Sequence, residues 1–182
     1  MYRIVKSVIV FFMSITLITG CGQIMIHPFW DSDQKVSDKI LEKIIDGINN
    51  KDEDAIKILF SEYAIENSES IDKDIQYLFD FIDGKVVSYD QSSPAGSFES
   101  SDKYYKIKLI SSYYYVSTAT GKYFFLIDNY SKNTLESEKQ GVKFLIVVKA
   151  EDRLKVYDGD EKILFDGTEE IDRYGVFIPD IY

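Results

Sequence analysis

The spacing of apolar residues changes at Gly84, and this change dictates the order of helices and strands. Before Gly84, apolar side chains recur every three or four residues, a spacing typical of amphipathic helices. After Gly84, they recur at every second residue, which predicts strands. A chain that forms helices first and antiparallel strands second belongs to the α+β class. We therefore predict three N-terminal helices packed on a curved antiparallel sheet.

Helix boundaries follow from capping residues and from the limits of the apolar stripes. The first helix is predicted over 36–50. The second is predicted after Asp52, whose carboxylate can accept hydrogen bonds from the N–H groups of the first turn. The third is predicted from Ser70 to Gly84, because glycine is the usual residue after a helix end.

Strands are predicted in four segments, at 86–89, 104–118, 123–130 and 142–150. Residues 91–97 contain Ser, Pro and Gly and predict a loop, because these residues interrupt strands. A polar loop is predicted at 131–140, and the segment after Glu151 is charged and less regular. The predicted sheet is therefore an antiparallel meander, which would form a cone together with the helices.

A hydrophobic run near the N-terminus leads directly to the only cysteine of the chain. A short basic start precedes an uncharged, mainly apolar run at 7–19, which is the layout of a secretory signal. The run ends at Ile18-Thr19-Gly20-Cys21, which resembles the lipobox of bacterial lipoproteins. In such proteins a diacylglyceryl group is attached to the cysteine thiol, and the chain is cleaved on the amino side of that cysteine.

The lipobox divides the chain into three predicted parts. These are a signal peptide at 1–20, a lipidated connector at 21–33 and a single α+β domain at 34–182. We expect the chain to be lipid-anchored on the extracytoplasmic face of the cell membrane, since two acyl chains suffice for stable attachment. The alternative is an uncleaved membrane anchor that continues through residues 24–26.

The charge balance excludes one class of partner and favours another. The chain has 21 Lys and Arg against 31 Asp and Glu, a formal net charge of −10. An acidic protein is a poor nucleic-acid binder, because phosphates require a basic surface. It would attract a cationic peptide or a basic envelope protein. Anionic lipid headgroups would repel it, so we expect the domain to stand off the membrane.

Several segments together resemble an uncharacterised family of secreted lipoproteins from low-GC Gram-positive bacteria. They lie, in order, at 38–45, 50–52, 75–79, 84–86, 110–114, 146–152 and 175–179. The resemblance implies a cystatin-like or nuclear-transport-factor-like fold and an extracytoplasmic location. It implies no active site, because the family has no known function.

The sequence offers few side chains for nucleophilic catalysis or metal binding, and we predict no cofactor. Cys21 would be consumed by the lipid, and His27, the only histidine, lies in the connector. Asp158 and Asp160 resemble part of a calcium loop, but Lys162 occupies a position that needs an oxygen ligand. We interpret this acidic cluster as a solvated turn and predict no metal site.

Tyrosines concentrate on the predicted hairpin of the second and third strands. The candidates for a binding surface are Tyr105, Tyr113, Tyr114, Tyr115 and Tyr123. Because side chains alternate across a strand, Tyr113 and Tyr115 share one face and Tyr114 lies on the other. One face would form the core, and the other would line a groove or be covered. The alternative is that tyrosine is present only for its strand propensity.

These features favour a non-enzymatic lipoprotein that binds a peptide, a protein or an envelope component. One alternative is a small hydrolase or isomerase that uses a carboxylate and a tyrosine inside the cone. Asp80 and Asp128 are the candidate catalytic residues, because both lie near apolar helices or strands. Another alternative is an accessory subunit of a membrane transporter or sensor.

Overall fold

A computed structural model of the chain describes residues 28–154 and 172–179. The predicted lipobox, His27 and the acidic cluster at Asp158 and Asp160 lie outside the described residues. The helices are α1 Pro28–Asn50, α2 Glu53–Lys57, α3 Glu62–Asn67 and α4 Ile71–Phe81. The strands are β1 Val86–Ser101, β2 Lys106–Thr118, β3 Lys122–Asn133, β4 Gly141–Lys149 and β5 Gly175–Phe177. The predicted α+β class is confirmed.

The helical half differs from the prediction at two places. Helix α1 begins at Pro28, eight residues before the predicted start. The second predicted helix is divided into α2 and α3, because the chain between them bonds to the sheet. Ser61 donates its backbone N–H to the Val142 carbonyl, and Val142 donates its N–H to the Leu59 carbonyl. Ser61 then caps α3 through its hydroxyl.

The sheet is open, with its five strands in the order β1-β2-β3-β4-β5. The first four strands are antiparallel, as predicted, but β5 pairs with β4 in parallel. The predicted loop at 91–97 is wrong, because these residues belong to β1. Pro94 is tolerated there because β1 is an edge strand and the register shifts between Ser93 and Gly96. The side chain of Gln34 accepts the Ala95 N–H at this bulge.

The two faces of the sheet bury different sets of apolar residues. The helices pack on one face, where the main core contains Leu41, Ile75, Tyr114, Phe125 and Leu145. A smaller cluster on the opposite face contains Phe124, Leu126, Phe144, Ile146 and Val148, with Tyr113 and Tyr115 packed against it. The alternation predicted for the three consecutive tyrosines is therefore observed.

Helix α1 runs along the sheet from one end to the other. At its C-terminal end, the Asn49 side chain bonds both backbone groups of Val86, where β1 begins. Near its N-terminal end, Asp33 lies 2.6 Å from the ammonium of Lys108, which also contacts Glu99 at 2.6 Å. Burial opposes the charge on Lys108, but the bonds to the two carboxylates outweigh it and raise its pKa. The C-terminal end of α1 therefore lies at the end of the sheet where β1 begins, and its N-terminal part lies near the turn between β1 and β2.

Candidate binding groove

A sizeable cavity lies at the end of the sheet where β2 turns into β3. This cavity, the β2–β3 groove, has a volume of about 760 Å³, which is within the usual range for ligand sites. It is lined by Tyr77, Asp80, Phe81, Asp83, Thr120, Gly121, Lys122, Tyr123, Lys149 and Glu151. Two of these residues, Asp80 and Tyr123, are among those that the sequence predicts.

Two hydrogen bonds fix the shape of the groove. The backbone N–H of Asp83 donates to the hydroxyl of Tyr123 at 2.8 Å. The hydroxyl of Thr120 donates to the Asp83 carbonyl at 2.9 Å. Gly84 follows with a φ of 82°, a conformation that glycine adopts without strain. The turn after α4 is therefore joined to the β2–β3 turn by two hydrogen bonds.

Three aromatic rings lead from the solvent to the core along the groove. The ring of Tyr77 lies 6.2 Å from that of Phe81, which lies 5.7 Å from that of Tyr123. Tyr123 is buried, Phe81 is half-buried, and Tyr77 is 48% exposed. Tyr77 thus packs against Phe81 while about half of its surface stays open to solvent, where it forms an aromatic contact surface.

Charged side chains surround the aromatic row. The carboxylates of Asp80, Asp83 and Glu151 line the groove and are exposed. Lys122 and Lys149 also line it, so the three carboxylates exceed the lysines by one. The ammonium of Lys122 lies 4.6 Å from the centre of the Tyr115 ring on the opposite face of the sheet. The groove thus offers carboxylates beside an aromatic surface, which suits a ligand that carries both positive charge and apolar groups.

Tyr77 lies where the β2–β3 groove meets two smaller cavities. One of about 390 Å³ lies beside Glu53 and Asp72, and shares Tyr77 and Asp80 with the groove. The other, of about 400 Å³, shares only Tyr77 and includes Asp74. Burial, reinforced by the nearby Glu69 carboxylate, raises the pKa of Asp74. An extended ligand could therefore cross Tyr77 and remain close to carboxylates on both sides.

The predicted tyrosine surface is distributed over several environments. Tyr114 and Tyr123 are buried in the main core, and Tyr123 also borders the β2–β3 groove. Tyr113 and Tyr115 are half-buried on the opposite face. Tyr105 lies at the other end of the sheet, where its hydroxyl is 3.3 Å from that of Ser100. Of these five tyrosines, only Tyr123 contributes to the β2–β3 groove.

The two candidate catalytic carboxylates are not brought together. Asp80 is exposed on α4, which packs on the helix side of the sheet. Asp128 lies in the middle of β3, paired with Ser111 and Phe144. Since α4 covers one face and Asp128 alternates with the residues of that face, the two side chains cannot act on one substrate atom. Among residues 28–154 and 172–179, no group of three or more His, Cys, Asp or Glu could hold a metal ion.

Tyr77 is one of the groove residues that the sequence interpretation misses. It lies within α4 but outside the apolar stripe formed by Ile71, Ile75, Leu78 and Phe79. An aromatic residue on the polar face of an amphipathic helix is the signal that could have identified it.

A comparison with protein families matches residues 43–150 to a family described as Domain of unknown function (DUF5104). The match begins within α1 and ends just after β4, and includes Tyr77, Asp80 and most other groove residues. No curated protein matches the chain. In the part of the chain that the structure describes, no helix is long and apolar enough to cross a membrane.

Proposed function

The chain belongs to the family described as Domain of unknown function (DUF5104), and from this premise and the groove we propose a binding function. The protein is a lipid-anchored, extracytoplasmic binding module that takes a cationic peptide segment in the β2–β3 groove. The observation that carries this proposal is the exposed Tyr77, which lies beside carboxylates at the meeting point of three cavities.

Three features of the groove support binding rather than catalysis. Its carboxylates are exposed to solvent, whereas a closed active site excludes water from the reacting groups. The hydroxyl of Tyr123 accepts a backbone N–H and therefore has a structural role. Asp128, the second candidate, lies away from the groove.

The proposal includes the anchor and the finer fold. Cys21 carries the lipid, and the preceding lipobox residues Ile18, Thr19 and Gly20 direct its attachment. The helices and the open sheet form a cystatin-like or nuclear-transport-factor-like cone. Support for the cone comes from the packing of the helices on one face and from bulges in β1, which bend a sheet.

Replacement of Cys21 by alanine is expected to abolish retention of the protein in the membrane fraction. Without the thiol, no diacylglyceryl group can be attached, and the acyl chains supply the energy of anchoring. Membrane fractionation and intact-mass measurement of the full chain test this expectation. A mass without acyl groups on the unaltered chain would contradict the anchor.

Binding can be tested with two synthetic peptides, one alternating lysine and tryptophan and one alternating glutamate and tryptophan. We expect the full chain, in detergent, to bind the lysine peptide more tightly, with an affinity that falls as salt is added. Tyr77→Ala should weaken this binding about tenfold, since a cation over an aromatic ring contributes about 1–2 kcal/mol. Asp80→Asn combined with Asp83→Asn should weaken it to a similar degree. Fluorescence anisotropy of labelled peptides provides the measurement.

A matched control is available on other surfaces of the same domain. Tyr104 and Asp90 are exposed, like Tyr77 and Asp80, but lie outside the groove. Tyr104→Ala combined with Asp90→Asn should leave peptide affinity unchanged. Equal binding of the two peptides, or equal losses in the groove and control variants, would refute the proposal. A photo-crosslinker at position 77 in native membranes would then show whether a protein partner occupies the groove instead.

A further inference from the structure

The turn between β1 and β2 exposes apolar side chains to an unusual extent. Tyr104 is 82% exposed, Phe98 is 63% exposed, and Leu135 from the neighbouring loop is 61% exposed. Leu135 belongs to this end because the adjacent Thr134 exchanges hydrogen bonds with the backbone of Lys106. We call this end of the domain, residues 98–106 with 132–135, the hairpin tip.

The hairpin tip carries a small excess of positive charge within an acidic protein, with three lysines against two carboxylates. Lys103, Lys106 and Lys132 are exposed there, and the ammonium of Lys103 lies 5.4 Å from the centre of the Tyr104 ring. The Asp102 carboxylate accepts the N–H groups of the turn. Glu99 is paired with Lys108. Exposed lysines beside aromatic and aliphatic side chains form the composition that favours the interface of an anionic bilayer.

The N-terminal end of α1 lies at the same end of the domain. Asp33 on α1 contacts Lys108, whose strand begins at the hairpin tip. The helix continues five residues beyond Asp33 to Pro28, which is about 7–8 Å along its axis, away from the β2–β3 groove. Cys21 precedes Pro28 by seven residues, which can span at most roughly 25 Å. A lipid on Cys21 would therefore hold this end of the domain close to the membrane.

We propose that the hairpin tip rests in the headgroup region of the membrane to which Cys21 is anchored. The β2–β3 groove, at the opposite end of the sheet, then faces away from the membrane. The net negative charge of the whole chain opposes adsorption, but headgroups respond to charges within a Debye length. Within the hairpin tip, three exposed lysines exceed the two carboxylates, and one of these carboxylates, Glu99, is paired with Lys108. This inference rests on the anchor in the proposed function and not on the identity of the groove ligand.

Site-directed fluorescence on the acylated full chain tests the orientation. Because the lipid occupies the thiol of Cys21, Ser101→Cys provides a free thiol at the hairpin tip, and Ala119→Cys provides one at the opposite end. Each is labelled with a nitrobenzoxadiazole probe and placed in vesicles of phosphatidylcholine and phosphatidylglycerol. With doxyl-labelled phospholipid, the probe at position 101 should lose about half of its emission, because it lies at interfacial depth. The probe at position 119 should be unaffected.

Changing the charge of the tip separates the proposed contact from the anchor. Lys103→Glu combined with Lys106→Glu should remove most of the quenching at position 101, while the protein still floats with the vesicles. If the chain is acylated but doxyl lipid reduces the emission of both probes by the same fraction, this inference is overturned and the anchor is not. Loss of emission that depends on protein density rather than on doxyl lipid would assign the tip to a second copy of the chain, and would also overturn it. An unacylated Cys21 would overturn both proposals.

Discussion

Tyr114→Ala is expected to destabilise the domain by about 3–5 kcal/mol, the usual cost of removing a large buried aromatic side chain. Tyr114 has no exposed surface, and its ring packs edge-on against Tyr89 at 6.0 Å. Its hydroxyl donates to Asp38 at 2.9 Å and accepts from Gln34 at 3.1 Å. Burial and the bond to Asp38 hold the pKa of the Tyr114 hydroxyl well above its ordinary value, so it stays protonated. The substitution leaves a cavity and removes a partner from two polar groups of α1.

Urea unfolding followed by circular dichroism gives the change in unfolding free energy. The neighbouring Tyr115 is a matched control, since it is half-buried on the opposite face against Phe124. Tyr115→Ala should cost about 1–2 kcal/mol, because less surface returns to water. Tyr114→Phe should also cost about 1–2 kcal/mol, the range for a lost buried hydrogen bond. If Tyr115→Ala were the more damaging change, the assignment of the main core to the Tyr114 face would be wrong.

The sequence predicts those elements best whose apolar pattern is strong and local. Helices α1 and α4 are predicted because their buried faces repeat with the helical period over several turns. The division between α2 and α3 could not be predicted, since it depends on Ser61 bonding to the distant strand β4. The parallel pairing of β5 is likewise non-local. β5 is placed by its pairing with β4, and its three residues alone do not indicate whether that pairing is parallel or antiparallel.

The error at 91–97 has a different physical origin. Pro and Gly weaken central strands, but an edge strand has one row of backbone groups without a strand partner, where a missing N–H costs little. Gln34 then satisfies the Ala95 N–H at the bulge. The sequence pattern shows which residues a segment contains, but it does not show whether that segment is an edge strand or a central strand of the sheet. The prediction would have needed the strand order first.

The candidate site could be predicted only in fragments. Asp80 and Tyr123 are predicted as separate candidates, one for catalysis and one for a surface, and the fold places both beside one groove. Asp83 and Thr120 matter because hydrogen bonds join two turns, and no spacing in the sequence indicates that contact. Tyr77 carries a signal, because it departs from the apolar stripe of its helix. Residues that interrupt a pattern are therefore as informative as those that maintain it.

Gly141→Ala is expected to destabilise the domain by about 3–5 kcal/mol through backbone strain and lost hydrogen bonds. Gly141 has a φ of 132°, which L side chains rarely adopt. A Cβ atom at this position would lie 2.8 Å from the backbone nitrogen of Ser61 and 3.0 Å from its Cα atom. Because both contacts are with backbone, no rotamer change can relieve them. The chain between α2 and α3 must move away from β4, which breaks the bonds between Ser61, Val142 and Leu59.

Urea unfolding together with amide hydrogen exchange measures this effect and locates it. The amides of Ser61 and Val142 should lose protection in Gly141→Ala before the centre of the sheet does, since opening there is local. Gly96→Ala is the control, because a Cβ atom at Gly96 would meet no other atom within 4 Å and the site tolerates a side chain. It should change stability by less than about 1 kcal/mol. An unfolding midpoint for Gly141→Ala equal to that of Gly96→Ala would show that the contact between the helices and β4 does not stabilise the domain.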